Sequence, residues 1–160
     1  QLFNKWLCYN RNGDNMKKGG LKVYFVHSRR IDYNNDIYLP VLRSNILSKH
    51  TLIFPETNAN KDTYYKDLME KADIFIVDLT NPDTGLNMEL KESILLKKPI
   101  LALAKRSIGY EEKYQKLLKN VIGYDNPQEL ASYVERFVES YKDKINNGKV
   151  DSTVVLGKLN

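Results

Sequence analysis

The sequence predicts an α/β fold in which one parallel sheet is covered by helices on both faces. Short apolar runs alternate with helix-type patterns along most of the chain. The runs are apolar throughout, which is typical of strands buried on both faces of a sheet. Because crossovers between parallel strands are right-handed, we expect a doubly wound, five-stranded sheet of the flavodoxin-like or Rossmann-like type, with strand order 2-1-3-4-5.

Five runs rich in β-branched and aromatic residues are the predicted strands. They cover residues 21–26, 51–54, 73–79, 99–104 and 121–124. Helical patterns fill the intervals at about 38–49, with Pro40 near its start, and at about 61–71, 85–97 and 110–119. A longer helix follows the fifth strand, where Asn126 can cap it and Pro127 suits its first turn. Its apolar stripe at helical spacing consists of Leu130, Tyr133, Val134, Phe137, Val138 and Tyr141.

The length and composition predict one domain over residues 21–145. A chain of 160 residues with 42% hydrophobic residues is long enough for one core. Residues 1–20 lack apolar periodicity and suggest a flexible leader or an expression remnant, and residues 146–160 form a tail. The single Cys8 excludes an internal disulfide. No segment has the pattern of a signal peptide or a membrane span, so we expect a cytoplasmic protein without membrane contact.

The basic charge of the chain gives little information about partners. The net charge of +5 could favour anionic ligands, but a solvated basic surface explains it more simply. The lysines are scattered and are not interleaved with aromatic residues as in a nucleic-acid platform. We therefore expect no nucleic-acid polymer as a partner.

Candidate site residues follow the first and third strands, where the predicted strand order reverses. Ligand sites of open α/β sheets lie at this point, at the carboxyl ends of the strands. The loops that meet there are residues 27–30 and 81–85, which carry both basic and acidic groups. His27 and His50 have no Cys or acid spacing around them, so we expect neither a metal nor a cofactor.

Glu89 lies near the start of the helix predicted over 85–97, on a largely apolar face with Leu86, Ser93 and Leu96. The helix dipole favours its ionised form, and apolar neighbours would remove its water. These conditions suit a nucleophile. A helix-start acid satisfied by a backbone group or a lysine explains the same position, and spacing alone slightly favours that interpretation.

Asp83 and Tyr24 each have a structural and a functional interpretation. Asp83 is sufficiently explained as the N-cap of this helix; alternatively it binds a ligand hydroxyl or base edge while Gly85 and the helix amides surround a sugar. Tyr24 is explained by half-buried packing, yet it lies near the carboxyl end of its strand, where a phenol could reach a carboxylate.

Two segments carry a specific resemblance. They are Val23-Tyr24-Phe25 with Ser28 and Arg30 after it, and Asp83-x-Gly85-Leu86-x-Met88-Glu89-Leu90, accompanied by the strand Pro99-Ile100-Leu101-Ala102-Leu103. Together they resemble the nucleoside 2-deoxyribosyltransferase family, which includes the 2'-deoxynucleoside 5'-monophosphate N-glycosidases. The resemblance covers about residues 21–140 and is sharpest in the Asp-x-Gly-Leu-x-Met-Glu-Leu element.

The resemblance implies an enzyme that cleaves or transfers the N-glycosidic bond of nucleosides or their 5'-monophosphates. Glu89 matches the glutamate that attacks C1' and forms a glycosyl-enzyme intermediate, and Tyr24 matches a tyrosine near that nucleophile. Asp83 matches an aspartate of the transferases and argues for a nucleoside. Ser28 and Arg30 match the loop that holds the phosphate in the hydrolases.

The same resemblance places Gly85 and Met88 with the substrate-binding residues and implies a homodimer or larger homo-oligomer. Two departures from the family pattern matter. The resemblance implies an aspartate on the second helix that assists the leaving base. This chain has Tyr65 at the matching position, and Asp67, two residues later, is the candidate catalytic acid. Lys91 replaces a small glycine.

The departures keep a second hypothesis open: a nucleotide-binding or signal-sensing module that has lost catalysis. A third, weaker hypothesis is a flavodoxin-like interaction domain of the receptor-signalling sort. It predicts no defined pocket around Glu89.

Overall fold

The computed structural model describes residues 8–9, 20–54 and 61–146. The strands in chain order are β1 (Cys8–Tyr9), β2 (Lys22–Val26), β3 (Thr51–Ile53), β4 (Ile74–Asp78), β5 (Ile100–Lys105) and β6 (Ile122–Tyr124). They form one sheet in the order β1-β3-β2-β4-β5-β6, with β2 to β6 parallel. Counted from residue 21, the parallel strands have the order 2-1-3-4-5, so the predicted doubly wound sheet is confirmed.

A short antiparallel strand extends this sheet at the edge. β1 pairs with β3, with Cys8 opposite Ile53 and Tyr9 opposite Leu52. It lies inside the segment for which the sequence predicts a leader, and no periodicity over two residues could have indicated it. The rest of that leader, residues 1–7 and 10–19, and the tail from 147 to 160 lie outside the described residues.

The helices are α1 (Leu39–Leu42), α2 (Lys61–Lys71), α3 (Thr84–Leu95), α4 (Lys113–Leu117) and α5 (Pro127–Asn146). α1 and α5 pack on one face of the sheet, and α2, α3 and α4 pack on the other. The Asn126 side chain caps α5 by accepting from the amide of Glu129 at 2.9 Å, as the sequence predicts. In the part of the chain that the structure describes, no helix is long and apolar enough to cross a membrane.

The single helix predicted over 38–49 is wrong. The segment instead contains a π-helical turn (Asn34–Tyr38), the four residues of α1 and a 3-10 turn (Leu47–Lys49). Pro40 lacks the amide that a regular helix needs at this point, and the chain enters α1 through the wider turn, in which the Leu39 amide donates to the Asn34 carbonyl. Ser44 then accepts from the Leu47 amide at 3.1 Å, so its side chain supports a turn in place of helix continuation.

The sheet separates two apolar cores. Along β2, Val23 and Phe25 point into the core under α1 and α5, whereas Tyr24 and Val26 point into the core under α2, α3 and α4. β4 and β5 alternate in the same way, and every residue of β4 is buried. Burial on both faces explains why the strands are continuously apolar in the sequence.

A buried polar network joins the carboxyl ends of the last three strands. Asp78, at 1% exposure, accepts from the Tyr124 hydroxyl at 2.6 Å and from the Thr80 amide at 2.9 Å. The Thr80 hydroxyl oxygen accepts from the Lys105 amide at 2.8 Å. Burial raises the pKa of Asp78 above its usual range, while the hydrogen bonds that Asp78 accepts from Tyr124 and Thr80 act in the opposite direction. The network fixes the start of the loop that leads from β4 into α3.

Candidate active site

Glu89 and Tyr24 contact each other near the carboxyl ends of the parallel strands. Glu89 lies in the second turn of α3 and is half-buried, and Tyr24, in the middle of β2, is completely buried. The Tyr24 hydroxyl donates a hydrogen bond to Oε1 of Glu89. The structure thus brings together two of the predicted site residues that are 65 positions apart in the chain.

The environment keeps the Tyr24 phenol protonated. Burial raises the pKa of Tyr24 far above its usual range, and the neighbouring Glu89 carboxylate raises it further. Leu86 and Ser93, which share the helix face of Glu89, are both buried. Glu89 therefore has buried neighbours on its helix face, and its Oε1 accepts from the Tyr24 phenol, which stays protonated at ordinary pH.

Asp83 connects the two loops of the site. Its Oδ1 accepts from the Leu86 amide at 2.8 Å, so Asp83 is the N-cap of α3, and its Oδ2 accepts from the Arg29 amide at 2.9 Å. Burial would raise the pKa of Asp83, but these two hydrogen bonds and the nearby Arg30 cation outweigh it, and the pKa lies below its usual range. Asp83 is ionised at neutral pH, and each of its oxygens accepts from a backbone amide.

The loop after β2 presents two arginines around a buried serine. Ser28 is fully buried, and its hydroxyl oxygen accepts from the Arg30 amide at 3.0 Å. Arg29 and Arg30 are exposed, and the Arg30 guanidinium donates to the Pro82 carbonyl at 3.3 Å. On the facing loop Asn81 has a positive φ of 44°, a conformation that asparagine tolerates better than most residues. The two loops meet, as the predicted strand order requires.

The buried His27 side chain supports the loop after β2 from the protein interior. In the sequence, His27 was weighed only as a metal ligand. It is 2% exposed and stacks on Tyr33, with ring centroids 4.6 Å apart. Burial lowers the pKa of His27 to about 4, so the ring is neutral. Its Nδ1 donates to the Ser28 carbonyl at 2.9 Å, which leaves Nε2 to accept from the Tyr38 hydroxyl. Tyr38 lies in the π-helical turn, which no periodic pattern predicts.

Of the two candidate positions on α2, Tyr65 faces the Tyr24 side of the sheet and Asp67 does not. Tyr65 is half-buried and packs against the core cluster that includes Tyr24, Leu86 and Leu90. Asp67 is exposed. The two positions are about 200 degrees apart around a helix, which explains why they differ.

The remaining predicted residues are exposed on α3. Met88 is 54% exposed, and Lys91 is exposed on the same helix. Gly85 is exposed in the first turn of α3, where an added Cβ would lie 3.6 Å from Oδ1 of Asp83, an ordinary contact. Among the described residues, no three His, Cys, Asp or Glu side chains cluster as they would around a metal ion.

Comparison with known proteins shows the fold. No protein-family model matches the sequence, and no curated protein matches it either. Among the solved structures that match is that of Clostridium botulinum CMP N-glycosidase, BcmB. It has a TM-score of 0.54 and 16% sequence identity, and the match covers 72% of this chain and 98% of that chain. At this identity the similarity establishes a shared fold.

We expect stability to fall with decreasing pH because of His27. Below about pH 6.5 the unfolded chain binds a proton on His27 that the folded chain does not bind until about pH 4. His27→Gln removes this titration. Urea unfolding at pH 7 and pH 5 should therefore show a loss that is roughly 2 kcal/mol larger for wild type than for the variant. Parallel pH dependence of the two proteins would contradict the prediction, since other groups titrate in both.

Proposed function

We propose that the protein cleaves the N-glycosidic bond of nucleoside 5'-monophosphates, with Glu89 as nucleophile. The observation that carries the proposal is the half-buried Glu89 carboxylate, held by the buried Tyr24 phenol at the carboxyl edge of a doubly wound sheet. Ligand sites of this fold class lie at that edge. The shared fold with a protein described as a CMP N-glycosidase supports the same reaction type.

The proposed reaction begins with attack of a Glu89 oxygen on C1' of the sugar. The C1'–N bond breaks through an oxocarbenium-like transition state, its electron pair leaves with the base nitrogen, and a glycosyl ester forms on Glu89. Water then attacks C1' and loses a proton to the solvent, while the C1'–O bond to Glu89 breaks and its electron pair returns to the carboxylate. The sugar phosphate is released with retained configuration, and a second base in place of water gives transfer. The Tyr24 hydroxyl orients the Glu89 carboxylate by donating to its Oε1. The carboxylate is therefore already positioned before the substrate binds.

The loop geometry favours a 5'-phosphate over an unphosphorylated sugar. Asp83 uses each of its oxygens to accept a backbone amide, so its charge is partly balanced within the protein. Arg29 and Arg30 are exposed beside it, and the Arg30 side chain is directed to the loop that enters α3 by its contact with Pro82. A guanidinium in this position suits a phosphate oxygen.

A binding module without turnover is the second candidate function. It is favoured by the position of Tyr65 on the inward face of α2, while Asp67 is exposed. Tight binding of a nucleoside monophosphate with no base release would support this alternative. Homodimerisation, a cytoplasmic location and the absence of a cofactor stay predictions from the sequence.

Replacing the nucleophile should abolish base release. We expect Glu89→Gln to lower kcat/KM for nucleoside monophosphates at least about a thousandfold, because an amide cannot form the glycosyl ester. Glu92→Gln, three positions later on α3, is the matched control and should retain activity. Base release by Glu89→Gln at the wild-type rate would refute the mechanism.

Removing the Tyr24 hydroxyl should weaken catalysis without abolishing it. A hydrogen bond to a charged group is worth about 1.5–3 kcal/mol, so Tyr24→Phe should lower kcat/KM roughly 10- to 100-fold. Tyr114→Phe is the control, because Tyr114 packs in the same core but donates to Asn87 at 2.5 Å. Equal effects of the two changes on kcat/KM would show that the Tyr24 contact has no special role.

Arg30 should distinguish nucleotides from nucleosides. We expect Arg30→Gln to lower kcat/KM roughly tenfold for a nucleoside monophosphate and to leave the value for the matching nucleoside unchanged. Arg43→Gln, an exposed arginine at the end of α1, controls for net charge. An equal loss of kcat/KM for the nucleotide and the nucleoside in Arg30→Gln would contradict the prediction.

A further inference from the structure

In the part of the chain that the structure describes, two non-glycine residues have a positive φ. Lys97, with a φ of 54°, follows the C-cap Leu96 of α3, a position where helices commonly end on a left-handed residue. Asn81, with a φ of 44°, lies between β4 and α3 and precedes Pro82, and a residue before proline favours an extended backbone with negative φ. The end of a helix explains Lys97 but does not explain Asn81.

The residues on either side of this strained position are held by hydrogen bonds. The Thr80 amide donates to the buried Asp78 carboxylate at 2.9 Å, and the Thr80 hydroxyl oxygen accepts from the last amide of β5 at 2.8 Å. Asp83 accepts from one amide in the loop after β2 and from one in α3, at 2.9 Å and 2.8 Å. Asn81 and Pro82 alone connect these two fixed points. Backbone strain persists where the surrounding structure fixes a residue in this way, and it is frequent at ligand sites.

The conformation of Asn81 sets the direction of the Pro82 carbonyl. This carbonyl accepts from the Arg30 guanidinium at 3.3 Å. The φ of Asn81 determines how the chain leaves Thr80, and the proline ring fixes the φ of the next residue. The contact between Pro82 and Arg30 therefore depends on the positive φ at position 81.

We infer that Asn81 is a positioning residue for the selection of nucleotides over nucleosides. Its positive φ directs the Pro82 carbonyl to Arg30, and this contact places the guanidinium for a 5'-phosphate. The inference rests on the proposed function, in which Arg30 binds the phosphate. Asparagine suits the position because it adopts a positive φ more readily than most residues, whereas a β-branched residue does not. The backbone performs this role, so the exposed Asn81 side chain needs no contact with the substrate.

The test is the ratio of the affinities for cytidine 5'-monophosphate and cytidine, measured by calorimetry in a Glu89→Gln background that prevents turnover. Asn81→Val should lower this ratio about fivefold, because valine does not hold a positive φ and the phosphate contact weakens while the base and sugar contacts stay. Asn81→Gly should keep the ratio, since glycine adopts a positive φ readily. Lys97→Val is the matched control: it strains the backbone at the end of α3 and should lower the urea midpoint without changing the ratio.

A second set of variants tests whether Asn81 acts through Arg30. In an Arg30→Gln background Asn81→Val should cause no further fall in the ratio, because two changes that remove the same contact are not additive. An unchanged ratio in Asn81→Val, or an equal fall with and without Arg30, would overturn the inference. A lower ratio in Asn81→Gly would also overturn it, because the side-chain amide would then be responsible. Asn81→Ala replaces the valine variant if that variant does not fold.

Failure of the proposed function gives a different result. The wild-type protein would then release no base from cytidine 5'-monophosphate, while the affinity ratio would still fall in Asn81→Val. Base release by wild type together with an unchanged ratio in Asn81→Val would keep the proposed function and remove the role of Asn81. A wild-type protein that binds neither ligand and releases no base would contradict both.

Discussion

The Asp83 carboxylate accepts hydrogen bonds from backbone amides in two loops that leave neighbouring parallel strands. One oxygen caps α3 through Leu86, and the other holds the loop after β2 through Arg29. The position of Glu89 on α3 relative to Tyr24 on β2 depends on this connection, because the helix start and the strand end are fixed to the same side chain. The buried Asp78 network anchors the other end of the Asp83 loop. The site is therefore supported by carboxylates that take no part in the proposed chemistry.

The fold was predictable because it depends on periodicity. Strands buried on both faces must be continuously apolar, and helices between them must carry one apolar stripe, so both leave a pattern in the sequence. The break of the 38–49 helix was not predictable in this way. It depends on Pro40 selecting a π-helical turn and on Ser44 supporting a second turn, which are choices among local hydrogen bonds. The pairing of Cys8–Tyr9 with β3 depends on a contact distant in sequence.

The sequence predicts which loops of the candidate site lie near one another, but not which atoms contact each other. Strand order alone brings the loops at 27–30 and 81–85 together, and the N-cap role of Asp83 follows from its place before the helix. The double use of Asp83 was not foreseen, because the second partner is a backbone amide and any residue except proline at position 29 would supply one. His27 was missed for a related reason. Its partner Tyr38 reaches it from the π-helical turn, whose geometry has no sequence signature.

The two-residue strand β1 has a consequence for how copies of the chain meet. β3 would otherwise end the sheet with a row of unsatisfied amides and carbonyls, a template on which another molecule can add a strand. The antiparallel pairing of Cys8 and Tyr9 occupies that template over Leu52 and Ile53. At the opposite margin β6 is only three residues long and offers little length for such an addition. Both outer strands of the described sheet are therefore short, so a second chain has little length on which to add a strand.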